Sequence, residues 1–468
     1  MFFRSFFDEN LAQMSYLVGC ERTGEAIVID PARSIDPYLK IAKKKGFNII
    51  ASAETHIHAD FLSGSREIAK NCNITVYVSD EGDENWKYHQ VEGVNYTFLK
   101  DSSTFNVGFV EFQVMHTPGH TPESISFILT DKGAAFSQPM GIFTGDFVFV
   151  GEIGRPDLLE KSVGIAGSAE SGARLMFESL QRFKELPDFM QVWPAHGAGS
   201  ACGKALGAVP MSTVGYEKLN NWGLKEENKE DFVKSLLTGQ STPPKYFAMM
   251  KKLNKIGPPL VNETEIERLE TPDELIKYGS NTVLLDTRRA KEFAKEHLEG
   301  AINIPFNQSF TNWAGELIGY DQDIVLIAAE EHVNKIKESL SSIGLDRVVS
   351  SIEPAFTLRD QERIESYEEV NVQKLRDLLD DENYHLIDVR NQSEWNDGRI
   401  EGADLKTLRS LPDLLDDLPE GKTYLVHCRS GARSAIAASL MQANGYKDVK
   451  NVKGGYLAWM KEKFPVKS

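Results

Sequence analysis

Thr55-His56-Ile57-His58-Ala59-Asp60-Phe61 is the stretch on which the fold turns. It follows the apolar run Ile49–Ala51 and precedes Gly64, so it reads as a strand ending in a turn that carries two imidazoles and a carboxylate. Three further stretches repeat that plan: Thr117-Pro118-Gly119-His120-Thr121, Thr144-Gly145-Asp146 after the apolar Ile142-Phe143, and Pro194-Ala195-His196-Gly197. Each lies at the expected end of a strand, where a turn aims side chains at one spot. A single histidine of this kind is usually a satisfied loop residue. Four motifs in this order and at this spacing point to a metal site. Imidazole with carboxylate suits zinc, iron or manganese, and no motif places a thiolate to favour a soft metal. On motif geometry alone His116 competes with His120.

Composition sets the outer limits. At about 100–200 residues per domain, 468 residues make two to four domains, and 41% apolar residues let each bury a core. The net charge of −17 argues against general affinity for nucleic acid or anionic membrane. It leaves room for an anionic substrate in a local cationic pocket. No apolar run reaches the ~18 residues of a membrane span. Asp8 and Glu9 interrupt the apolar opening early, so it is read as a first strand rather than a leader, and the protein as cytoplasmic. Four cysteines, Cys20, Cys72, Cys202 and Cys428, without a Cys-x-x-Cys pair, do not make a disulfide framework. Cys20 and Cys72 read as small buried residues near strands.

Beta-like runs alternate with turns up to about residue 245, where Lys225–Asp231, Pro243-Pro244 and Pro258-Pro259 mark a domain boundary. An internal repeat follows. Asp388 follows Asp286, Glu394 follows Glu292 and Glu401 follows Glu299, each by 102 residues. Strands between helical stretches imply two α/β modules with parallel sheets, at 246–365 and 366–468. The second contains Tyr424-Leu-Val-His427-Cys428-Arg429-Ser430-Gly431-Ala432-Arg433-Ser434, a strand, a loop and then a helix-like run. Loop N–H groups at a helix N-terminus, with Arg429 and Arg433, favour a thiolate and an anion on its sulfur. In the first repeat, aligned on Val325–Ala329, Ala329 takes the cysteine position, Glu330-Glu331 replaces the cationic loop, and Glu353-Pro354 stands where the second has Gly454-Gly455. It reads as a structural or docking module.

The N-terminal motifs resemble the metallo-β-lactamase superfamily, and the first 220 residues are similar to its persulfide dioxygenase branch. Leu11–Cys20, Gly24–Pro31, Gly151–Leu158 and His196–Lys204 add to the likeness. The resemblance implies an αββα sandwich with the metal at one edge. The superfamily's binuclear zinc hydrolases read Thr-His-x-His-x-Asp-His. Here the last position is Phe61, which has no lone pair to give, so the second metal site loses a ligand. What remains, His56, His120 and Asp146, matches the two-His-one-carboxylate triad of non-haem Fe(II) oxygenases. The resemblance assigns these three as ligands of one Fe(II) per chain. His58, Asp60 and His196 would orient ligands and bound water. Arg155 is a candidate for binding a substrate anion, and Cys202, in a Gly-rich loop past His196, for holding sulfane sulfur.

The C-terminal loop departs from the tyrosine phosphatases, whose arginine lies six positions after the cysteine; that position is Ser434. Its Cys-x-x-Gly-x-Arg spacing resembles the rhodaneses, with Cys428 and Arg433 as catalytic residues. The expected architecture is therefore an α/β and α+β multidomain chain: a sandwich at 1–245, a degenerate rhodanese-like domain at 246–365 and an active one at 366–468. Fusions of this kind imply oxidation of a low-molecular-weight thiol persulfide by O₂ to sulfite, with sulfur transfer to thiosulfate and a homo-oligomeric assembly. Oxidising persulfide sulfur to sulfite releases the four electrons that O₂ accepts. No flavin or nicotinamide is then needed, in keeping with the lack of Gly-x-Gly-x-x-Gly after a strand or of a P-loop lysine. The rival readings are a glyoxalase II-like zinc thiolester hydrolase fused to a rhodanese, and a non-enzymatic sulfur carrier.

Overall fold

The computed structural model describes residues 1–134, 137–158, 160, 167–200, 202–203, 206–261, 266–359 and 361–467. The chain divides into two compact units, Met1–Asn262 with Glu338–Gly344, and Glu263–Lys337 with Leu345–Ser468. The first unit thus runs past the boundary read at 245. The added helix, Phe247–Ile256, buries Phe247, Met250 and Asn254. It stacks Lys251 over the ring of Trp86, so its apolar and polar anchors belong to the N-terminal domain.

Two six-stranded sheets form the first unit. One contains β1 (Phe2–Asp8), β2 (Gln13–Cys20), β3 (Glu25–Ile29), β4 (Asn48–Ala53), β5 (Thr75–Ser79) and β6 (Asn95–Leu99), in that order. The other contains β7 (Thr104–Val107), β8 (Val110–His116), β9 (Ile125–Asp131), β10 (Gly141–Gly145), β11 (Gln191–Pro194) and β12 (Ser212–Thr213), also in chain order. Strand periodicity decides which side chains meet. Tyr16 and Val18 of β2 join Phe112, Val114, Phe127, Phe143 and Trp193 in the core between the sheets. Leu17, between them, turns the other way onto Tyr38, Ala42 and Ile68 from the outer helices. Against the second sheet lies the helix Ser168–Lys184. Its Ala173, Met176, Leu180 and Phe183 fall at three- and four-residue spacing and pack on Ile142 and Val192. Burying each of the larger side chains contributes about 1.5–3 kcal/mol. The result is a helix–sheet–sheet–helix sandwich.

The second unit holds two modules with one topology. The strands Glu267–Leu269, Val348–Ile352, Asp323–Ile327, Thr282–Asp286 and Ala301–Asn303 lie side by side in that order, all parallel. Glu368–Val370, Val449–Val452, Thr423–His427, Tyr384–Asp388 and Asp404–Leu405 repeat the order, again all parallel. Asp286 and Asp388 are both fully buried, and each is held by the arginine two residues on. Strand register corrects one alignment. Asp286 pairs with Ile327 as Asp388 pairs with His427, so Ala328, not Ala329, occupies the position of Cys428. The connection is also shorter. Ala328 and Ala329 alone join strand to helix where the second module has Cys428–Gly431.

Candidate metal centre and sulfur-transfer site

His56 leaves the carboxyl end of β4, His120 follows β8, Asp146 follows β10 and His196 follows β11. Adjacent strand ends deliver all four to one edge of the sandwich. Local backbone demands are strict there. Gly145 has φ 53°, and a Cβ on it would stand 2.4 Å from Thr55 Oγ1. A Cβ on Gly154 would lie 1.8 Å from the carbonyl oxygen of Asp146.

The imidazoles are oriented by their far nitrogens. His120 Nδ1 lies 2.9 Å from the carbonyl of Arg155, and His196 Nδ1 lies 3.1 Å from that of Ala12. A carbonyl only accepts, so both Nδ1 atoms carry a proton and both Nε2 atoms face the centre. Thr55 Oγ1 donates to Asp30 Oδ2 at 2.9 Å and accepts from His56 Nδ1 at 3.0 Å. His56, His120 and Asp146 bring their donor atoms within 4.8 Å of one another. Asp146 Oδ2 is 3.4 Å from His120 Nε2 and 3.9 Å from His56 Nε2. His56 Nε2 and both Asp146 oxygens are buried without a hydrogen-bond partner. Unsatisfied buried donors converging on one point fit a cation. Burial and the neighbouring imidazoles hold His56 well below the usual imidazole range, so its lone pair is available. His120 is also lowered by burial, against the pull of Asp146. His116 ends β8 with Nε2 on the carbonyl of Pro122, outside the cluster.

Asp146 faces two ways. Its Oδ1 lies 3.3 Å from His196 Nε2, which is itself 3.1 Å from Asp60 Oδ2. Asp60, His196 and Cys202 form a second buried group with donor atoms within 4.8 Å. Cys202, expected to flank the site in the loop past His196, lies buried beside Asp60 and His196. Burial, with the carboxylates of Asp146 and Asp60, pushes the Cys202 thiol up. Burial works against a charged His196, but Asp146 and Asp60 raise it well above the usual range.

His58 points elsewhere. Its Nε2 sits 3.1 Å from Asp30 Oδ1 and 3.2 Å from Glu54 Oε2. Burial opposes its charge, yet these carboxylates raise its pKa to about 10. His58 neutralises a buried acidic pair, while its ring lies tilted 4.4 Å from that of Phe61 and 4.2 Å from that of His56. Arg155 is fully buried, bound to both oxygens of Asp157 at 2.7 Å and to Ser241. What it presents to the centre is its carbonyl. Residues outside the sequence motifs complete the support. Asp30, at φ 47°, accepts the N–H of Thr55 at 2.7 Å, and Glu123 accepts that of Ile57 at 2.9 Å. Asp30 ends the run Ile27–Asp30, a signal the sequence did carry; Glu123 announces itself by no motif.

In the second module Cys428 is 1% exposed, and its sulfur accepts the N–H of Gly431 at 3.1 Å at the start of the helix Ala432–Ala443. Ser434 Oγ stands 3.5 Å from the sulfur and donates to Asn451 at 2.7 Å. The closing double glycine has a steric cause. Gly455 has φ 52°, and a Cβ there would stand 2.3 Å from the carbonyl oxygen of Cys428. Arg433 makes two 2.7 Å bonds to Glu394, so much of its charge is matched, while Arg429 is exposed beside the loop. In the first module Glu353 accepts the N–H of Glu330, and Arg268 binds the Glu330 carboxylate. The helix terminus that meets Cys428 in one module is met by the Glu353 carboxylate in the other.

The chain matches the metallo-beta-lactamase superfamily over residues 9–196 and the rhodanese-like domain over 271–356 and 371–462. A crystal structure of a metallo-beta-lactamase from Staphylococcus aureus subsp. aureus COL is 43% identical, with a TM-score of 0.69, and covers 76% of this chain and 99% of its own. Hydroxyacylglutathione hydrolase of Rhodospirillum rubrum is 31% identical over 39% of this chain and 60% of its own length. Persulfide dioxygenase ETHE1 of Bos taurus is 25% identical over 41% of this chain and 66% of its own length. Among the described residues no helix is long and apolar enough to cross a membrane. The chain belongs to the metallo-β-lactamase superfamily and carries two rhodanese-like domains behind that fold.

Proposed function

We propose that the protein is a cytoplasmic persulfide dioxygenase coupled to a sulfurtransferase, with one Fe(II) per chain. The observation that carries this reading is the pairing, in one chain, of a buried His56–His120–Asp146 triad with a cysteine cradled at a helix N-terminus. The likeness to ETHE1 supports it. Ferrous iron held by the triad would leave coordination positions for O₂ and a sulfur ligand together. The overall change balances: persulfide R–S–SH, O₂ and water give R–SH, sulfite and two protons. The chain's own groups hold the two ligand imidazoles in one tautomer and exclude bulk water, since all three donors are buried. Cys428 then takes a sulfane sulfur: its thiolate attacks the outer sulfur of R–S–SH, the S–S bond breaks and R–S⁻ leaves. Sulfite attacks the new outer sulfur, giving thiosulfate and returning the thiolate. Gly431 N–H steadies the negative sulfur at both stages, and Arg429 offers the entering anions a cation. Substrates are a thiol persulfide, O₂ and sulfite, with no nucleic-acid or membrane partner and a homo-oligomeric state.

Replacing Cys428 by Ser should leave oxygen uptake with a thiol persulfide largely intact and turn the product from thiosulfate to sulfite. An unchanged product ratio in an oxygen-electrode assay with sulfur anion chromatography would defeat the division of labour. A second reading, a glyoxalase II-like zinc thiolester hydrolase joined to a rhodanese, is favoured by the Asp60–His196–Cys202 group and by the hydroxyacylglutathione hydrolase likeness. Metal analysis of the purified chain separates them: one iron supports the dioxygenase, two zincs the hydrolase.

A further inference from the structure

The loop between β4 and the helix Ser65–Cys72 carries His56 and Asp60, and it must hold both while burying its own peptide groups. One side chain outside the superfamily match does much of this work. Asn254 lies on the helix Phe247–Ile256, beyond residue 196, and is 7% exposed. Its Nδ2 donates to the carbonyl of His58 at 2.8 Å and to that of Phe61 at 2.7 Å, and its Oδ1 accepts the N–H of Ser63 at 2.9 Å. Both amide hydrogens and the oxygen are thereby engaged across six residues of the loop. Glu123 holds the near end through Ile57 N–H. Between these two clamps stand Asp60, with its oxygen on His196, and Phe61, with its ring on His58.

We propose that Asn254 is a positioning residue for the metal centre: it fixes the His58–Ser63 segment so that Asp60 and Phe61 keep their places beside the ligand cluster, and it makes this helix part of the centre. Without it two buried carbonyls and one N–H lose their partners, and the loop must shift to recover them. Donor atoms a few tenths of an ångström out of place weaken a metal site. The proposal rests on His56, His120 and Asp146 being metal ligands, not on the oxygen chemistry.

The test is ion affinity in the full chain. The apo-protein is titrated with Zn(II), and anaerobically with Fe(II), against a chelator of known affinity. Wild type is compared with Asn254→Ala, Asn254→Asp, Met250→Ala and Lys252→Ala. Asn254→Asp keeps the volume and the acceptor for Ser63 but sets lone pairs against two carbonyl oxygens, so it carries the test if the alanine variant does not fold. Met250 is a fully buried core residue of the same helix, and Lys252 is exposed. The expected result is affinity about tenfold weaker or worse in both Asn254 variants. Met250→Ala should lower the melting temperature while leaving affinity unchanged, and Lys252→Ala should change neither. Wild-type affinity in the Asn254 variants, or an equal loss in Met250→Ala, overturns the role given to Asn254. A wild-type chain that binds neither ion removes the centre itself, a different failure that takes the ligand assignment with it.

Discussion

Each histidine facing the centre is told which nitrogen to present by a hydrogen bond at its far side. His120 relies on the carbonyl of Arg155, His196 on that of Ala12 and His56 on Thr55 and Asp30. Asp146 is the least replaceable, because its two oxygens face the two donor groups separately. Asp146→Asn keeps the shape but removes the charge. It should reduce bound metal per chain severalfold, read by elemental analysis, with only a small change in far-ultraviolet circular dichroism. The candidate ligands His56, His120 and Asp146 were legible as a group because each sits in a short motif at a strand end, and they do converge. Cys202 was legible as a thiol near His196 but not as a neighbour of Asp60, since that contact depends on how the loop returns. His58, expected as a supporting group rather than a ligand, reaches the cluster through Asp30, whose other contacts run to Thr55 and so to His56. The sequence spacing did not show that Asp30 and Glu54 are its partners.

Close backbone approaches, rather than side-chain chemistry, govern the elements around both sites. Gly455→Ala would drive a Cβ into the carbonyl of Cys428 from a left-handed backbone position. It should cost more than about 1 kcal/mol of stability and slow alkylation of Cys428 by iodoacetamide, whereas Gly421→Ala, with open space around it, should leave alkylation unchanged. Several strands and the two-fold repeat of the second unit were readable from apolar runs and from the 102-residue offset, while the strand order within each sheet was not. The one-residue misplacement of Ala329 arose because an apolar strand running into alanines has no internal mark of its end, and only pairing with the Asp286 strand supplies one. The helix Phe247–Ile256 escaped for the opposite reason. Prolines on both sides gave a strong boundary signal, while its link to the loop runs through one asparagine, a residue type that alone says nothing about tertiary contacts.

At the scale of the whole molecule, the two candidate sites occupy units with separate cores, so the stabilities of the units should respond separately to conditions. His297, in the first rhodanese-like module, is buried against the ring of Phe293 at 3.7 Å, and burial lowers its pKa to about 4. Its stabilising effect as a neutral ring is complete above the unfolded value near 6.5 and is lost as pH falls toward 4. Between pH 6.5 and 5 that amounts to about 2 kcal/mol. The second unit should melt earlier as pH drops through this window, and His297→Gln should flatten the dependence in calorimetry; equal slopes would refute it. The shortened connection in this same module has a further consequence. A thiol introduced at position 328 would stand on a shelf too narrow to wrap around sulfur, with a glutamate already seated in the niche. Restoring transfer there calls for inserted backbone as well as new side chains. No single substitution would turn this module into a copy of its twin.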